Sequence, residues 1–338
     1  MTYAAPEVSV VIPLFNKERH VARAIQSVLN QTHRDSELVV IDDGSTDGSA
    51  NVVESFSDPR IRLVRQQNAG PSAARNRGIA EARADLIAFL DADDEWLPEH
   101  LATILRMRRR FPDCGAYATA RRIVEKDGVS WIRTFTTIPA PPWEGIIPSF
   151  FRTVLLDGEP VHTSAAAIPR HVFDSVGAFA LGAQRGEDTD MWCRIALQYP
   201  ISYSHQVGEV THQEAENRVS NGPAPLDFPM LECLEKAVAA RVLPAGVSLA
   251  DVVDYKDLFH ISCAVRCIQA RLPKKAREHL RAAVTTNRYR RARQYWYARS
   301  FVPFLPWDWA RGVKRLITRV VRVGSIHGRF WKKQQERL

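Results

Sequence analysis

The stretch from residue 8 to residue 111 alternates between short apolar runs and amphipathic segments, and this alternation constrains the fold more than any other feature. Strand patterns fall at residues 8–12, 37–41, 61–64 and 85–90. Helix patterns fall at residues 19–30, 47–56, 72–83 and 97–111. Because strands that alternate with helices align side by side with the helices on the sheet faces, the order predicts an α/β fold with a parallel, doubly wound sheet.

The fourth predicted strand stops abruptly at three carboxylates. Its apolar run, LIAFL at residues 86–90, is followed by Asp91, Asp93 and Asp94. Ligands of parallel sheets gather at the carboxyl ends of the strands, and carboxylate oxygens suit Mg²⁺ or Mn²⁺. The stretch therefore predicts a cation site that grips nucleotide phosphates, or else an acidic turn before a helix that starts near Trp96.

The segments after the other strands also carry polar residues. The stretch DDGSTDG at residues 42–48 offers carboxylates to a base or a ribose hydroxyl, but it equally describes a sharp turn at Gly44 with a helix cap at Thr46 or Asp47. The stretch NAGPSAARNRG at residues 68–78 opens a helix whose N-terminus attracts phosphate, or forms a tight structural loop.

Several functional classes lack support in the sequence. A GxGxxG after a strand and a GxxxxGK[ST] motif are both missing, which counts against dinucleotide-binding Rossmann proteins and P-loop NTPases. The five cysteines form no CxxC pair, and Cys263 and Cys267 are expected to be buried apolar residues of one helix. With no secretory signal and no run of about 20 apolar residues, we expect a cytoplasmic protein, with peripheral attachment to the cytoplasmic face of a membrane as an option.

Taken together, the motifs resemble the inverting family 2 glycosyltransferases of the GT-A fold. They are, in chain order, VSVVIPLFNKE (residues 8–18), QTH (31–33), DDGSTDGS (42–49), NAGPSAARNRG (68–78), DADDEWLP (91–98), GEDTDMW (186–192) and Thr211–His212 with a later Ser220. The resemblance extends from the first strand pattern to Ser220. It implies a mostly parallel sheet flanked by helices, and transfer of a sugar from a nucleotide-diphosphate donor to a hydroxyl group.

The resemblance also assigns roles to residues of this chain. It implies nucleotide-sugar binding by Pro13, Asn16, Glu18, Asp42, Asp43, Arg75, Asn76 and Asp91. For the cation, Mg²⁺ or Mn²⁺, it implies Asp93 as the direct ligand, assisted by Asp91 and His212. Relatives usually carry Tyr-Arg shortly before this histidine, whereas this chain has Val210-Thr211, so a core or loop histidine is the alternative for His212.

The acids at residues 187 and 188 carry the implied catalysis. Asp188 matches the general base that removes the proton of the acceptor hydroxyl, and Glu187 would orient it or touch the acceptor. Alternatively, both are the acidic first turn of a helix through Trp192. His162 and Ser164, ahead of the predicted strand 165–168, could reach the donor.

Two rival functions remain open at this point. One is a sugar nucleotidyltransferase, although residues 13–18 lack the Gly-rich basic loop that holds a triphosphate. The other is a glycosyltransferase-like binding scaffold with a silent site. Because the QxxRW sequence of processive synthases is also missing, transfer of a single sugar is the favoured activity.

The sequence suggests three segments: a GT-A domain over residues 1–222, an all-helical extension over 223–305, and a basic amphipathic segment over 306–338. Residues 266–338 contain 20 lysines and arginines against 3 acids. Tryptophans with a basic polar face suit an anionic membrane surface; a solvated helix packed on the domain is the alternative, and nucleic acid is not expected. We expect a UDP-sugar donor, and a glycan or lipid-linked acceptor in cell-surface glycan or polysaccharide biosynthesis.

Overall fold

The structure is a computed structural model that describes residues 5–183, 185–216, 218, 225–283 and 289–300. The chain divides into two compact units. The first comprises Met1–Thr134, Pro139–Ile147 and Val161–Gly222, and the second comprises Phe135–Ile138, Pro148–Pro160 and Pro223–Leu338. Two short segments within the predicted GT-A domain are thus grouped with the C-terminal helices, and each unit is described separately below.

From residue 8 to residue 111 the elements alternate as the sequence predicts, except that a two-residue strand precedes the fourth helix, where no strand was predicted. Up to residue 146 they are β1 (Val8–Leu14), α1 (Val21–Leu29), β2 (Ser36–Asp42), α2 (Ser49–Glu54), β3 (Ile61–Arg65), α3 (Pro71–Glu81), β4 (Leu86–Phe89), β5 (Glu95–Trp96), α4 (His100–Arg110), β6 (Ala116–Val124), β7 (Ser130–Ile132) and β8 (Glu144–Ile146). Beyond it they are α5 (Phe150–Asp157), a 3-10 turn (Thr163–Ala165), β9 (Ala166–Pro169), α6 (Arg170–Val176), α7 (Glu187–Ala196), β10 (Ile201–His212), α8 (Met230–Ala240), α9 (Leu249–Gln269), α10 (Pro273–Ala282) and α11 (Arg290–Arg299).

The strands of the first unit form one sheet in the order β3-β2-β1-β4-β9-β6-β10-β5, with β7 paired to β6 and β8 to β10. The neighbours β3, β2, β1 and β4 are all parallel, as predicted. Beyond them the sheet is mixed, because β9 runs antiparallel to both β4 and β6. The α/β class with a mostly parallel core of strands is therefore confirmed, and the antiparallel pairs involve β9 and the short strands β5, β7 and β8.

The core of the first unit explains why these stretches become strands and helices. On β1, four residues facing one side (Val8, Val10, Ile12 and Leu14) are buried with Val21, Ala24, Ile25 and Val28 of α1. Each such side chain contributes about 1.5–3 kcal/mol when it leaves water. On the opposite face, a Cβ at Gly78 of α3 would lie 2.2 Å from Val11 Cγ1, so only glycine lets this helix pack so closely on β1.

The second unit contains the helices α5, α8, α9, α10 and α11. The last four lie in the extension predicted over residues 223–305 and confirm that it is helical in the residues that the structure describes. Cys263 and Cys267 are free and buried on α9, as expected of apolar core residues. Among the described helices, none is both long enough and apolar enough to cross a membrane. The basic segment 306–338 and Ser220 lie outside the described residues.

Candidate active site

The loops after β1 and β2 lie together, and we call residues 15–20 with residues 42–48 the loop pair. Asn16 accepts a hydrogen bond at Oδ1 from the backbone N–H of Thr46 at 2.8 Å, and its own N–H donates to Ser45 Oγ at 3.1 Å. Asn16 has a positive φ of 51°, a conformation that asparagine tolerates better than most residues. Pro13 stands on β1 beside Ile41 of β2. These hydrogen bonds join the ends of two neighbouring strands.

The carboxylates of the loop pair accept hydrogen bonds from backbone amides. Glu18 Oε2 accepts from Gly48 N–H at 3.1 Å, at the start of α2, and Asp42 Oδ1 accepts from Ser45 N–H at 3.0 Å. Gly44 has a φ of 75°, which confirms the sharp turn expected there. The structure thus brings Asn16, Glu18 and Asp42 together, and each of them also holds a turn or the start of α2 by accepting hydrogen bonds from backbone amides.

Asp43 organises the adjoining loop that leads into α3. The Asp43 side chain is buried, and its Oδ1 accepts from Gln66 Nε2 at 2.7 Å and from Ala69 N–H at 3.0 Å. Its Oδ2 accepts from Gly70 N–H at 2.8 Å. Because three donors converge on one carboxylate, Asp43 fixes the start of the Asn-Ala-Gly-Pro stretch relative to β2.

Arg75 connects two acids that are far apart in sequence. Its Nη2 donates to Asp91 Oδ1 and its Nη1 to Glu187 Oε1, both at 2.9 Å. The guanidinium is 5% exposed and lies 5.5 Å from the ring centroid of Phe179. Both acids raise the pKa of Arg75 against the opposing effect of burial, so this buried cation keeps its charge. Arg75 therefore connects the start of α7 to the DxD stretch, which is Asp91-Ala92-Asp93.

Asn76, the neighbouring residue on α3, fixes the ring that Arg75 contacts. Its Nδ2 donates to the carbonyl oxygen of Phe179 at 2.8 Å, while its Oδ1 accepts from the Phe179 N–H at 2.9 Å. The Phe179 ring meets Phe89 of β4 edge to face with centroids 5.4 Å apart. In this state Asn76 supports Arg75 from behind, which is a different task from the donor contact that the motif implies.

The remaining predicted cation ligands have separate partners. Asp93 Oδ2 accepts from Lys17 Nζ at 2.9 Å, and Lys17 also donates to the carbonyl oxygen of Glu216. His212 Nε2 lies 3.1 Å from Glu95 Oε2. Asp91, Asp93 and His212 thus bind different groups. Since Mg²⁺ commonly takes only one or two carboxylates and fills its other positions with phosphate oxygens and water, the hard oxygen donors at the end of β4 still fit such an ion.

A different trio converges beside these acids. Among the residues that the structure describes, Asp94, His162 and Glu209 form the only group of three or more His, Cys, Asp or Glu whose ligand atoms all lie within 4.8 Å of one another. We call Asp91, Asp93, Asp94, Glu187 and Glu209 the acid cluster. Sequence reasoning named His162 only as a residue near the donor and missed Glu209, because a single glutamate in the β10 pattern carries no local signal.

The pKa values of Asp94 and Asp91, two members of the acid cluster, are shifted in opposite directions. Burial raises the pKa of Asp94 well above its usual value, and the charges of Glu209, Asp93 and Asp91 raise it further. Burial also opposes ionisation of Asp91, but Arg75 outweighs this effect, so the pKa of Asp91 is lowered. Adjacent carboxylates therefore favour different protonation states.

The first turn of α7 carries the two acids that were predicted to be catalytic. Glu187 is buried, and burial followed by the charge of Asp188 raises its pKa despite the opposing effect of Arg75. Asp188 is half-buried, and its Oδ1 accepts from Thr189 N–H at 2.7 Å. Both stand in the first turn of α7, where acids are favoured, as the helix-start alternative expects. Asp190 of the same turn pairs with Arg194 at 2.7 Å.

Comparison with known families identifies the part of the chain from residue 9 to residue 174. A family model described as glycosyl transferase family 2 matches residues 9–174, a stretch that includes β1 to β4, β9 and the acids after β4. The chain carries a family 2 glycosyltransferase domain. The match includes the loop pair, Arg75 and the acids after β4, whereas Glu187, Glu209 and His212 lie beyond it.

Curated relatives support the family assignment over part of their length. An uncharacterised glycosyltransferase of Nostoc sp. is 43% identical over 104 residues, which is 30% of this chain and 32% of the relative. The uncharacterised glycosyltransferase YibD of Escherichia coli is 33% identical over 152 residues, or 42% of this chain and 44% of the relative. The matches thus span less than half of the length of these relatives.

A solved structure confirms the fold of the family 2 domain. Residues 1–349 of TarS from S. aureus, in complex with UDP-GlcNAc, match with a TM-score of 0.66 and 17% sequence identity, covering 88% of this chain and 89% of TarS 1–349. The GT-A fold that the motifs imply is confirmed.

Proposed function

We propose that the protein is a metal-dependent, inverting glycosyltransferase that moves one sugar from a nucleotide-diphosphate sugar to a hydroxyl acceptor. The contact that supports this most directly is the buried Arg75 guanidinium, which binds Asp91 of the DxD stretch and Glu187 of the GED stretch at once. Asp91, on the donor side, and Glu187, beside the proposed base Asp188, thereby flank one site. A direct displacement requires donor and acceptor to be held together at such a site.

In this proposal, Asp188 accepts the proton of the acceptor hydroxyl as its oxygen attacks C1 of the sugar. The bond from C1 to the phosphate oxygen breaks on the opposite face, and the nucleoside diphosphate leaves with inversion of configuration at C1. Glu187, held by Arg75, positions the first turn of α7 and with it Asp188. Asp93, with Asp91 and His212 nearby, would hold Mg²⁺ or Mn²⁺, which offsets the negative charge that develops on the diphosphate.

The proposed donor is a UDP-sugar. TarS, which shares the fold, binds UDP-GlcNAc and UDP. The loop pair of this chain offers side chains of the type that bind a base and a ribose, namely Asn16, Glu18, Asp42 and Asp43, together with Pro13. One relative, TuaG of Bacillus subtilis, is described as a putative teichuronic acid biosynthesis glycosyltransferase and is 34% identical over 132 residues, or 38% of this chain and 52% of the relative. It supports a glycan or lipid-linked acceptor in cell-surface polysaccharide synthesis.

Attachment to an anionic membrane surface is the second part of the proposal. It rests on the excess of 20 lysines and arginines over 3 acids in residues 266–338. Flotation with vesicles that contain anionic lipid tests it: the full chain should float with the vesicles, and deletion of residues 306–338 should abolish flotation. Equal behaviour of the two proteins would exclude this segment as the attachment site.

A thermal-shift panel of UDP, GDP and dTDP, each with and without Mn²⁺, tests the donor assignment. A ligand that binds only the folded state stabilises it by mass action, by about 2.7 kcal/mol at 100 times its Kd. We expect the largest shift with UDP and Mn²⁺ together, and loss of the Mn²⁺-dependent part in Asp93→Ala. Asp174→Ala, on the exposed side of α6, is the matched control and should shift like the unaltered chain. If UDP raised the melting temperature equally with and without Mn²⁺, the proposed metal dependence would be contradicted.

A further inference from the structure

The trio Asp94, His162 and Glu209 is a buried polar cluster that sugar transfer, as proposed above, does not use. Its members come from three elements of the first unit: the turn after β4, the residue before the 3-10 turn, and β10. Asp94 is 1% exposed and Glu209 is fully buried, while His162 is partly exposed. Two carboxylates and an imidazole in such a place need a counter-ion, a proton or a ligand, because a buried unpaired charge is costly.

Both carboxylates are fixed in orientation by neighbouring groups. Ser164 Oγ donates to Asp94 Oδ2 at 2.8 Å, and the N–H of His212 donates to Asp94 Oδ1 at 3.2 Å. Thr211 Oγ1 donates to Glu209 Oε1 at 2.6 Å. Each carboxylate oxygen has two lone pairs, so these hydrogen bonds leave acceptor positions open on both acids. Hydrogen-bonded orientation of this kind is typical of residues that ligate metals.

The oxygen and nitrogen that face each other across the trio lack a hydrogen bond. Glu209 Oε2 and His162 Nδ1 are buried atoms without a hydrogen-bond partner, and they lie 3.6 Å apart. A separation of this size suits two ligands bound to one cation, since ligand distances of about 2.0–2.2 Å with tetrahedral or octahedral angles place neighbouring ligand atoms roughly 3–3.6 Å apart. The fully buried Glu209 Oε2 faces the imidazole at a distance too long for a hydrogen bond, and this is the observation that points to a bound ligand.

We propose that Asp94, His162 and Glu209 form a second cation site, separate from the nucleotide-dependent site at Asp93. All three ligands come from the protein, so the ion binds without a nucleotide. The imidazole favours a transition metal such as Mn²⁺ or Zn²⁺ over Mg²⁺, and the three ligands leave further coordination positions for water. The ion would connect β10 and the residue before the 3-10 turn to the turn after β4.

Metal binding measured without nucleotide tests the site. The full chain is stripped with EDTA, dialysed against Mn²⁺, Zn²⁺ or Mg²⁺, and its bound metal is determined by mass spectrometry with and without UDP. We expect one equivalent of Mn²⁺ or Zn²⁺ without UDP and no retained Mg²⁺. Glu209→Gln and His162→Gln should each weaken this binding at least about tenfold. Glu54→Gln, an exposed glutamate of α2, is the matched control and should bind like the unaltered chain.

Two further measurements separate this site from the proposed function. Asp93→Asn should retain the nucleotide-independent equivalent and lose only the additional equivalent that appears with UDP. Mn²⁺ should raise the melting temperature of the unaltered chain but not that of Glu209→Gln, which replaces the buried charge by an amide of similar shape and should fold. The proposal is overturned if the unaltered chain retains no metal in the absence of UDP, or if Glu209→Gln and His162→Gln bind it as tightly as the unaltered chain. Failure of UDP to bind would leave the first equivalent untouched.

Discussion

The loop pair and the acid cluster are both rich in carboxylates, yet they hold them in different ways. In the loop pair and the adjoining loop, Glu18, Asp42 and Asp43 accept hydrogen bonds from backbone amides. In the acid cluster, Asp91, Asp93 and Glu187 are held by the charged side chains of Arg75 and Lys17. Backbone amides cannot leave, whereas a charged side chain can be replaced by another cation.

We infer from this difference that the loop pair is fixed, whereas the acid cluster can exchange its counter-ions. The amide hydrogen bonds of the loop pair preorganise it before any ligand arrives, which lowers the ordering cost of binding. In the acid cluster, a cation that binds Asp93 would compete with Lys17 Nζ, which lies 2.9 Å from Asp93 Oδ2. The proposed catalysis needs charge that responds to the substrate, and we propose the acid cluster as its source.

The largest effect is expected at the proposed base. Asp188→Asn removes the acceptor of the hydroxyl proton and should lower turnover by about 10²–10⁴-fold, since general-base catalysis contributes factors of this size. Donor binding, measured as the thermal shift with UDP and Mn²⁺, should stay within about twofold of the unaltered chain. Asp174→Asn on α6 should leave both quantities unchanged. Unaltered turnover in Asp188→Asn would refute the assigned base.

Removal of Arg75 tests how strongly the acid cluster depends on its charged partner. Arg75→Met leaves the buried Glu187 and the half-buried Asp91 without their cation, and breaking a buried ion pair from one side costs about 3–5 kcal/mol. Arg77→Met, two residues along α3 with its guanidinium 52% exposed, should cost only about 0–1 kcal/mol. Urea unfolding of both variants measures the difference, and equal losses would show that burial does not set the importance of Arg75.

Substitution of Asp43 tests whether the loop pair depends on neutral amide donors, in contrast to the charged partners of the acid cluster. Asp43→Asn keeps the shape of the side chain but turns one acceptor oxygen into a donor that faces other donors. We expect a loss of about 1–3 kcal/mol in the free energy of unfolding, the cost of leaving buried hydrogen-bonding groups unsatisfied. The loss should be independent of Mn²⁺, because the donors are backbone amides and an amide side chain. A Mn²⁺-dependent loss would erase the distinction between the two regions.

The smallest effect on stability is expected at His100, the first residue of α4. Burial lowers the pKa of His100 to about 3, so between pH 6.5 and 3 the unfolded chain binds a proton that the folded chain refuses. Stability is therefore lost as the pH falls below about 6.5, by about 1 kcal/mol between pH 7 and pH 5.5. His100→Asn should remove this part of the pH dependence, as measured by urea unfolding at both values. His171→Asn, exposed on α6, should leave it in place, and parallel curves for His100→Asn and the unaltered chain would contradict the prediction.

Most of the regular structure could be predicted from the sequence. The strand and helix patterns from residue 8 to residue 111 are confirmed because each depends on local periodicity, as in the apolar run of β1 and the Val21, Ile25 and Val28 face of α1. The direction of β9 could not be predicted in this way. Its buried residues, Ala166–Pro169, would look the same in a parallel strand, and only pairing with β4 and β6 decides the direction.

The chemistry of the site divides along the same line. By itself, the sequence determined that acids stand at strand ends and at a helix start. Hydrophobic periodicity locates the strands and helices, and the acids of the motifs stand directly beside the ends of these elements. Only the tertiary structure decided which charges meet: Arg75 contacts Asp91, 16 positions away, and Glu187, 112 positions away. It also gathered Asp94, His162 and Glu209 rather than the trio that the motifs imply. Contacts at such separations depend on how the whole sheet is assembled, and no local pattern contains that information.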